Sequence, residues 1–386
     1  MSSTKTYLDY AATTPVDHRV VQAMLPFFNE TFGNPSSIHK FGQKAEDARD
    51  SARERIAKQI NCKPQELIFT SCGSESDNLA IRGTALAMRE KTGSNKILTT
   101  HIEHHAVSQT AIQLEKYYGF QVDWLETDKY GIIDPDTIRK AIQSDTALVS
   151  IMWANNEIGS INPISEIGAI CREQGVPFHT DAVQAAAHLH TDVNMLNVDL
   201  LSIGAHKFYG PKGIGALFVR DDITLIPQLT GGSQEFGYRA GTENTPYIVG
   251  MAEAFGITRA EHNQRMNNLI PLRDHLIGTI LEEIPNTQLT GHPKSRLPNH
   301  ISLAFKDTDA KLLLMLLDTE GFACSSGSAC KTGDPRPSEV LTSLGYSPDW
   351  ALGGLRITLG KDTRAEDVNS FINILPNLVD RVRQLA

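Results

Sequence analysis

ALVSIMWANNEIGSINPISEIGAICREQGVPFHTDAVQ, residues 147–184, decides the fold class. Its two short apolar runs, ALVSIMW (147–153) and VPFHT (176–180), have strand length and strand composition, and Pro163 to Gln174 between them carries a helical pattern. Strand, helix and strand in that order predict a βαβ unit, whose two strands lie parallel in a sheet covered on both faces. The same alternation continues outward: LIFT (67–70), KILTT (96–100), DLLSIG (199–204) and GALFVR (215–220) are further strands, and Glu75 to Lys91 is a further helix. In open sheets of this kind ligands gather beyond the carboxyl ends of the strands, so polar residues just after each strand carry the most information.

Past about residue 260 the texture changes. Amphipathic stretches at Leu269 to Glu283, Ala310 to Glu320 and Ala365 to Leu385 flank the strand-like HISLAF and LRITLG. This predicts a large domain over 15–259 and a smaller α/β domain built from 260–386 with the N-terminal arm 1–14. Met251 to Asn268 can form one helix connecting the two.

The composition sets bounds on function. The 386 residues are 40% hydrophobic and 21% charged, an ordinary globular balance. With 36 Lys and Arg against 45 Asp and Glu the net charge is -9, which argues against direct nucleic-acid binding through phosphate neutralisation. The start MSSTKTYLDY lacks the apolar stretch of a secretory signal, and no run reaches the length of a membrane helix. A cytoplasmic location is expected. Five scattered cysteines (62, 72, 171, 324 and 330) make no disulfide framework and leave at least one free thiol.

Chemistry concentrates at a few strand ends. In TSCGSESDNLA (70–80), Gly73 and Ser74 open a helix whose first amides suit an anion such as phosphate, although a plain helix cap has the same appearance. Asp181 ends the strand VPFHT with Gln184 three residues on; a carboxylate there holds a protonated ring nitrogen, binds a metal, or caps the next helix. Lys207, beside His206 in SIGAHKFYGPKGIGALFV (202–219), is placed to form a Schiff base with a carbonyl cofactor if it is kept from water; a surface lysine is the alternative. Neither G-x-x-x-x-G-K-[ST] nor G-x-G-x-x-G is present, which leaves nucleoside-triphosphate and nicotinamide readings unsupported. His101, His104 and His105 would suit a metal only on a regular helix; at a strand-to-helix junction the rings scatter, and one lying over a flat cofactor fits better. FACSSGSACKTGDPRPSEVL (322–341) has the Gly/Ser composition of a loop, about 323–335, which is the setting of a reactive Cys330. A tolerated free cysteine, or a regulatory Cys324–Cys330 disulfide, is also compatible. Arg356 in LGGLRITLG is a candidate for a substrate carboxylate or for a surface ion pair.

Taken in order, the CGSES loop, EHHA (103–106), NNEIG (155–159), HTDAVQ, AHKFYGPKG, RAGTEN (239–244), SSGSAC and the late arginine resemble the cysteine desulfurases of the NifS/IscS type, first group. These belong to the class V aminotransferases, fold type I enzymes dependent on pyridoxal 5'-phosphate. The resemblance runs from YLDYAATTP (7–15) to about residue 380. It implies a mostly parallel seven-stranded sheet flanked by helices, with Lys207 carrying the cofactor. By the same resemblance Asp181 keeps the ring nitrogen protonated, Gln184 bonds the ring oxygen and His104 stacks on the ring and assists proton transfer. Gly73, Ser74 and His206 hold the phosphate, and Thr242 reaches the phosphate in the partner subunit of a homodimer. Asn156 and Arg356 fix L-cysteine, and Cys330 takes its sulfur as a persulfide, leaving L-alanine.

Further implications concern the sulfur's destination: an acceptor protein, either an iron–sulfur scaffold or a tRNA-thiolation protein, and a transient iron–sulfur cluster ligated by Cys330. Ala205 stands where many members have a serine of the phosphate site, and Ser74 where the housekeeping type usually has threonine. YRAGTEN is closer to the nitrogen-fixation type, and the extended tail of some scaffold-binding members is not evident. A cysteine or selenocysteine lyase using the same cofactor is the nearest alternative. A non-catalytic scaffold binding metal through His101, His104 and the two loop cysteines is the alternative from another class.

Overall fold

A computed structural model describes residues 6–326 and 337–385. In chain order the strands are β1 (Thr6–Tyr7), β2 (Leu67–Thr70), β3 (Lys96–Thr100), β4 (Gln121–Leu125), β5 (Thr146–Ser150), β6 (Phe178–Asp181), β7 (Leu200–Gly204), β8 (Gly215–Val219), β9 (Thr287–Leu289), β10 (His300–Phe305), β11 (Phe322–Ala323) and β12 (Gly354–Thr358). Seven of them form one sheet in the order β2-β8-β7-β6-β5-β3-β4. Pairing is parallel from β7 through β6, β5 and β3 to β4, while β8 runs against both β7 and β2.

Strand residues alternate between two cores because successive side chains leave a strand on opposite faces. Leu67 and Phe69, Leu98, Val149, Leu201, and Ala216 with Phe218 enter one cluster. There they meet the helices Lys40–Ile60, Ile164–Gln174 and Thr245–Ala260 through Ile56, Ile167 and Phe255. The intervening Ile68, Ile97, Leu148, Leu200 and Leu217 enter the other cluster, against Leu79 and Leu114 of the helices Gly73–Thr92 and His105–Tyr118. β2, β5, β6 and β7 are buried along their whole length, which accounts for their apolar runs. β4 lies at the sheet edge and is half-exposed, which is why QVDWL lacked a strand signature.

The C-terminal part has its own core. The antiparallel sheet β12-β10-β9 packs Ile301, Leu303, Leu355 and Ile357 against Leu276, Leu313, Phe371 and Leu375 from the helices His262–Glu283, Ala310–Thr319 and Ala365–Arg383. Leu8 of the N-terminal arm joins this core, and β1 pairs in parallel with β11. The connection expected as one helix over Met251 to Asn268 is instead two, Thr245–Ala260 and His262–Glu283, which meet at Glu261. Glu261 accepts from both Arg19 and Arg265 at 2.8 Å, and this places an ion-pair junction at the break. No helix among the described residues is long and apolar enough to cross a membrane.

Candidate active site

The carboxyl ends of β2, β3, β5, β6 and β7 open onto one cavity of about 820 Å³. Gly73, Ser74, His104, Asn156, Asp181, Gln184, His206, Lys207 and Arg356 all line it. Thr242 is exposed and lies elsewhere, and Cys330 and Lys331 lie outside the described residues.

Lys207 leaves β7 through the short 3-10 turn Ala205–Lys207. Its Nζ donates to the carbonyl oxygens of Ala11 at 2.6 Å and Ala12 at 2.8 Å, both on the N-terminal arm. Burial, reinforced by Arg356 and opposed by Asp181 and Asp9, holds its pKa down to about 8. A lysine so placed offers a far larger neutral fraction near neutrality than an ordinary lysine, as Schiff-base chemistry requires. Asp181, buried at the end of β6, accepts the Val183 N–H at 2.8 Å. Burial raises its pKa, while His104 and Lys207 pull it back.

The helix Gly73–Thr92 has no side-chain bond at its N-cap, so its first amides face the cavity uncapped. A Cβ on Gly73 would lie 2.6 Å from Val183 Cγ2, so only glycine leaves this cradle undisturbed. His206 is within 3.2 Å of the Thr13 hydroxyl, and burial lowers its pKa to about 4. His104 caps its own helix by accepting the Ala106 N–H on Nδ1 at 3.1 Å, which leaves Nε2 to carry the proton of the neutral ring. Burial also depresses its pKa. The three histidines diverge: His101 stacks on Trp124 at 5.3 Å and His105 turns toward Glu339 at 3.5 Å.

Two acids were absent from the sequence reading. Asp77 is buried in the cavity wall, and its Oδ1 has no hydrogen-bond partner but lies 3.6 Å from His179 Nε2. Its ligand oxygen, one from Asp181 and a ring nitrogen of His104 lie within 4.8 Å of one another. Burial and the charge of Asp181 raise the Asp77 pKa, which disfavours the charged carboxylate that a cation site needs. Glu103 is raised to about 8 by burial and accepts from Thr100 Oγ1 at 2.8 Å and the Met152 N–H at 3.0 Å. Both acids follow strands, but nothing in their spacing marks them as buried.

Uncapped amides for a phosphate, a buried carboxylate for a cationic ring nitrogen and a lysine of lowered pKa on one cavity fit pyridoxal 5'-phosphate. Fold and site together define a pyridoxal-phosphate enzyme of fold type I. The profile of the class-V aminotransferases matches residues 6–371, and the chain belongs to that family. Cysteine desulfurase IscS of Methanosarcina thermophila is 47% identical over 380 residues, spanning 98% of this chain and 93% of the relative. IscS of Dictyoglomus turgidum is 46% identical, spanning 98% and 96%. Among solved structures, a NifS-like protein superposes with a TM-score of 0.90 at 34% identity, covering 98% of this chain and 100% of its own. SspA in complex with cysteine superposes with a TM-score of 0.81 at 36% identity, covering 92% and 99%.

Proposed function

We propose that the chain is a cysteine desulfurase that converts L-cysteine to L-alanine and passes the sulfur on as a persulfide of Cys330. The observation that carries this reading is the meeting of Lys207, Asp181, the uncapped Gly73 helix and Arg356 on one cavity. Pyridoxal 5'-phosphate supplies the electron sink that makes the substrate's Cα–H acidic and its Cβ–S bond weak. Gly73, Ser74 and His206 are assigned to its phosphate, Asp181 to its ring nitrogen, Gln184 to its ring oxygen and His104 to its face. Gln184 already donates to the Ala11 carbonyl at 2.9 Å, so the N-terminal arm orients this amide.

Lys207 holds the cofactor and, once released, moves the substrate proton, a role suited to its lowered pKa. Arg356 and Asn156 bind the amino acid, with Arg356 on the carboxylate. Cys330 attacks the substrate sulfur as a thiolate: the new S–S bond forms as Cβ–S breaks, and the three-carbon product leaves protonated as alanine.

Homodimerisation is supported by exposed apolar residues on the N-terminal helices and the loop between them. Leu25, Phe28, Phe32, Ile38 and Phe41 are all exposed there, Ile38 at 94%. Phe28 meets Tyr247 at 6.4 Å and Arg49 pairs with Glu243 at 2.8 Å, so this region adjoins the Thr242 segment that would reach the partner's phosphate. We also assign residues 15–259 and 260–386 with the arm 1–14 as two domains, supported by the helix break at Glu261 and by the separate C-terminal core. The location is assigned as cytoplasmic, and the acceptor as an iron–sulfur scaffold or tRNA-thiolation protein, with Cys330 a transient cluster ligand. The test is incubation of the cofactor-loaded protein with L-cysteine and a thiol. Alanine equal to released sulfide supports desulfuration; pyruvate and ammonia instead would mean β-elimination.

A further inference from the structure

Arg356 is engaged by its own chain in a one-sided way. It sits on β12, 5% exposed, and lines the cavity with Asn156 and Lys207. One Nη donates to the Asp9 carboxylate at 2.8 Å and the other to the Asn156 carbonyl oxygen at 3.0 Å. Nε, also buried, finds no acceptor among the described residues. Both Nη atoms are thus held by the chain itself, which fixes the guanidinium where Arg356 lines the cavity, and a carboxylate in the cavity is its complementary charge.

Asp9 is built into place by the arm. It bridges to Thr358, two residues along β12 from Arg356, and its carbonyl accepts the Tyr7 hydroxyl at 2.9 Å and the Ala12 N–H at 3.0 Å. The Tyr7 hydroxyl is also within 3.0 Å of the Thr13 carbonyl, which closes the turn that presents Ala11 and Ala12 to Lys207. Asp9 therefore pairs with Arg356 from the same backbone turn that holds Lys207.

We propose that Asp9 is a positioning residue for the substrate: by anchoring one Nη of Arg356 it fixes the guanidinium on the cavity wall in the orientation that receives the amino-acid carboxylate. The inference rests on Arg356 being the carboxylate-binding arginine. Asp9 takes no part in bond making or breaking, so its loss falls on substrate affinity.

The test uses holoenzyme variants Asp9→Ala, Asp9→Asn and Arg356→Lys. Their KM and kcat for L-cysteine are measured, and binding of L-alanine and of ethylamine, which lacks the carboxylate, is followed through the visible absorbance of the cofactor. Losing one hydrogen bond to a charged group should raise KM and the L-alanine dissociation constant by about tenfold or more in Asp9→Ala. Ethylamine binding should stay near wild type, and Asp9→Asn, which keeps an oxygen for the Nη donor, should recover most of the loss. If Arg356→Lys raises KM while Asp9→Ala leaves it unchanged, Asp9 does not position the arginine. Equal weakening of L-alanine and ethylamine would show general damage and overturn the proposal. An unchanged KM in Arg356→Lys would overturn the reading of Arg356 itself.

Discussion

Gly73→Ala is a small change with a calculable consequence. The added Cβ would lie 2.6 Å from Val183 Cγ2 and 3.7 Å from its Cβ and Cγ1. Carbon atoms settle at about 3.5–4.0 Å, so the helix start and Val183 must part by about 1 Å. Neither moves alone. The Val183 N–H is bonded to Asp181 at 2.8 Å, and Gly73 carries the uncapped amides. The strain therefore alters the spacing between the carboxylate assigned to the ring nitrogen and the amides assigned to the phosphate. Overpacking of this kind costs about 1–3 kcal/mol. Borne wholly by cofactor binding, that is a rise of about 5- to 150-fold in the pyridoxal-phosphate dissociation constant. The assay is titration of apoprotein with the cofactor, read by absorbance, for wild type, Gly73→Ala, Val183→Ala and the double variant. Val183→Ala removes the clashing methyl, so the double variant should recover most of the affinity, with a coupling of about 1 kcal/mol or more. Wild-type affinity and melting in Gly73→Ala, or no recovery in the double variant, would refute the reasoning.

Other expectations concern stability. In the apoprotein Lys207 has a pKa of about 8 against an ordinary 10.5, so across that window the unfolded chain binds the extra proton and stability rises with pH. Urea unfolding across the window should show this rise diminished in Lys207→Met; equal slopes would contradict it. Glu103 has the opposite sign: its pKa is raised to about 8 from 4.5, so stability falls as pH rises through that interval, and Glu103→Gln should reduce the fall. Glu235 holds buried Arg53 with two bonds of 2.7 and 2.9 Å and accepts the Phe69 N–H at 2.8 Å. Glu235→Ala leaves that guanidinium short of its counter-charge and should destabilise by about 3–5 kcal/mol in urea unfolding; less than about 1 kcal/mol would count against it.

What the sequence disclosed follows physical lines. Buried parallel strands announce themselves because both faces are apolar, and a lysine, a carboxylate and small residues at their ends are visible as residue types. The half-exposed edge strand β4 gave no such signal. Nor did the floor of the site, because Ala11 and Ala12 hold Lys207 by backbone carbonyls, which any residue carries. The Arg53–Glu235 pair joins positions 182 residues apart, and the burial of Asp77 and Glu103 comes from packing across the sheet. Asp9 was quoted only as part of a motif; its partnership with Arg356 spans 347 residues and needs the arm to reach β12. The ion pairs at the helix break join Glu261 to Arg19 and Arg265, one of them far away in sequence.

The central claim is transfer of sulfur from L-cysteine to Cys330. The most direct measurement is a single turnover of holoenzyme with L-cysteine, followed by alkylation and mass analysis of the Cys330 peptide, with Cys330→Ala alongside. The account predicts one added sulfur on Cys330 with one alanine formed per site, and loss of both in the variant. Alanine formation at the wild-type rate in Cys330→Ala, or an unmodified Cys330 after turnover, would contradict it.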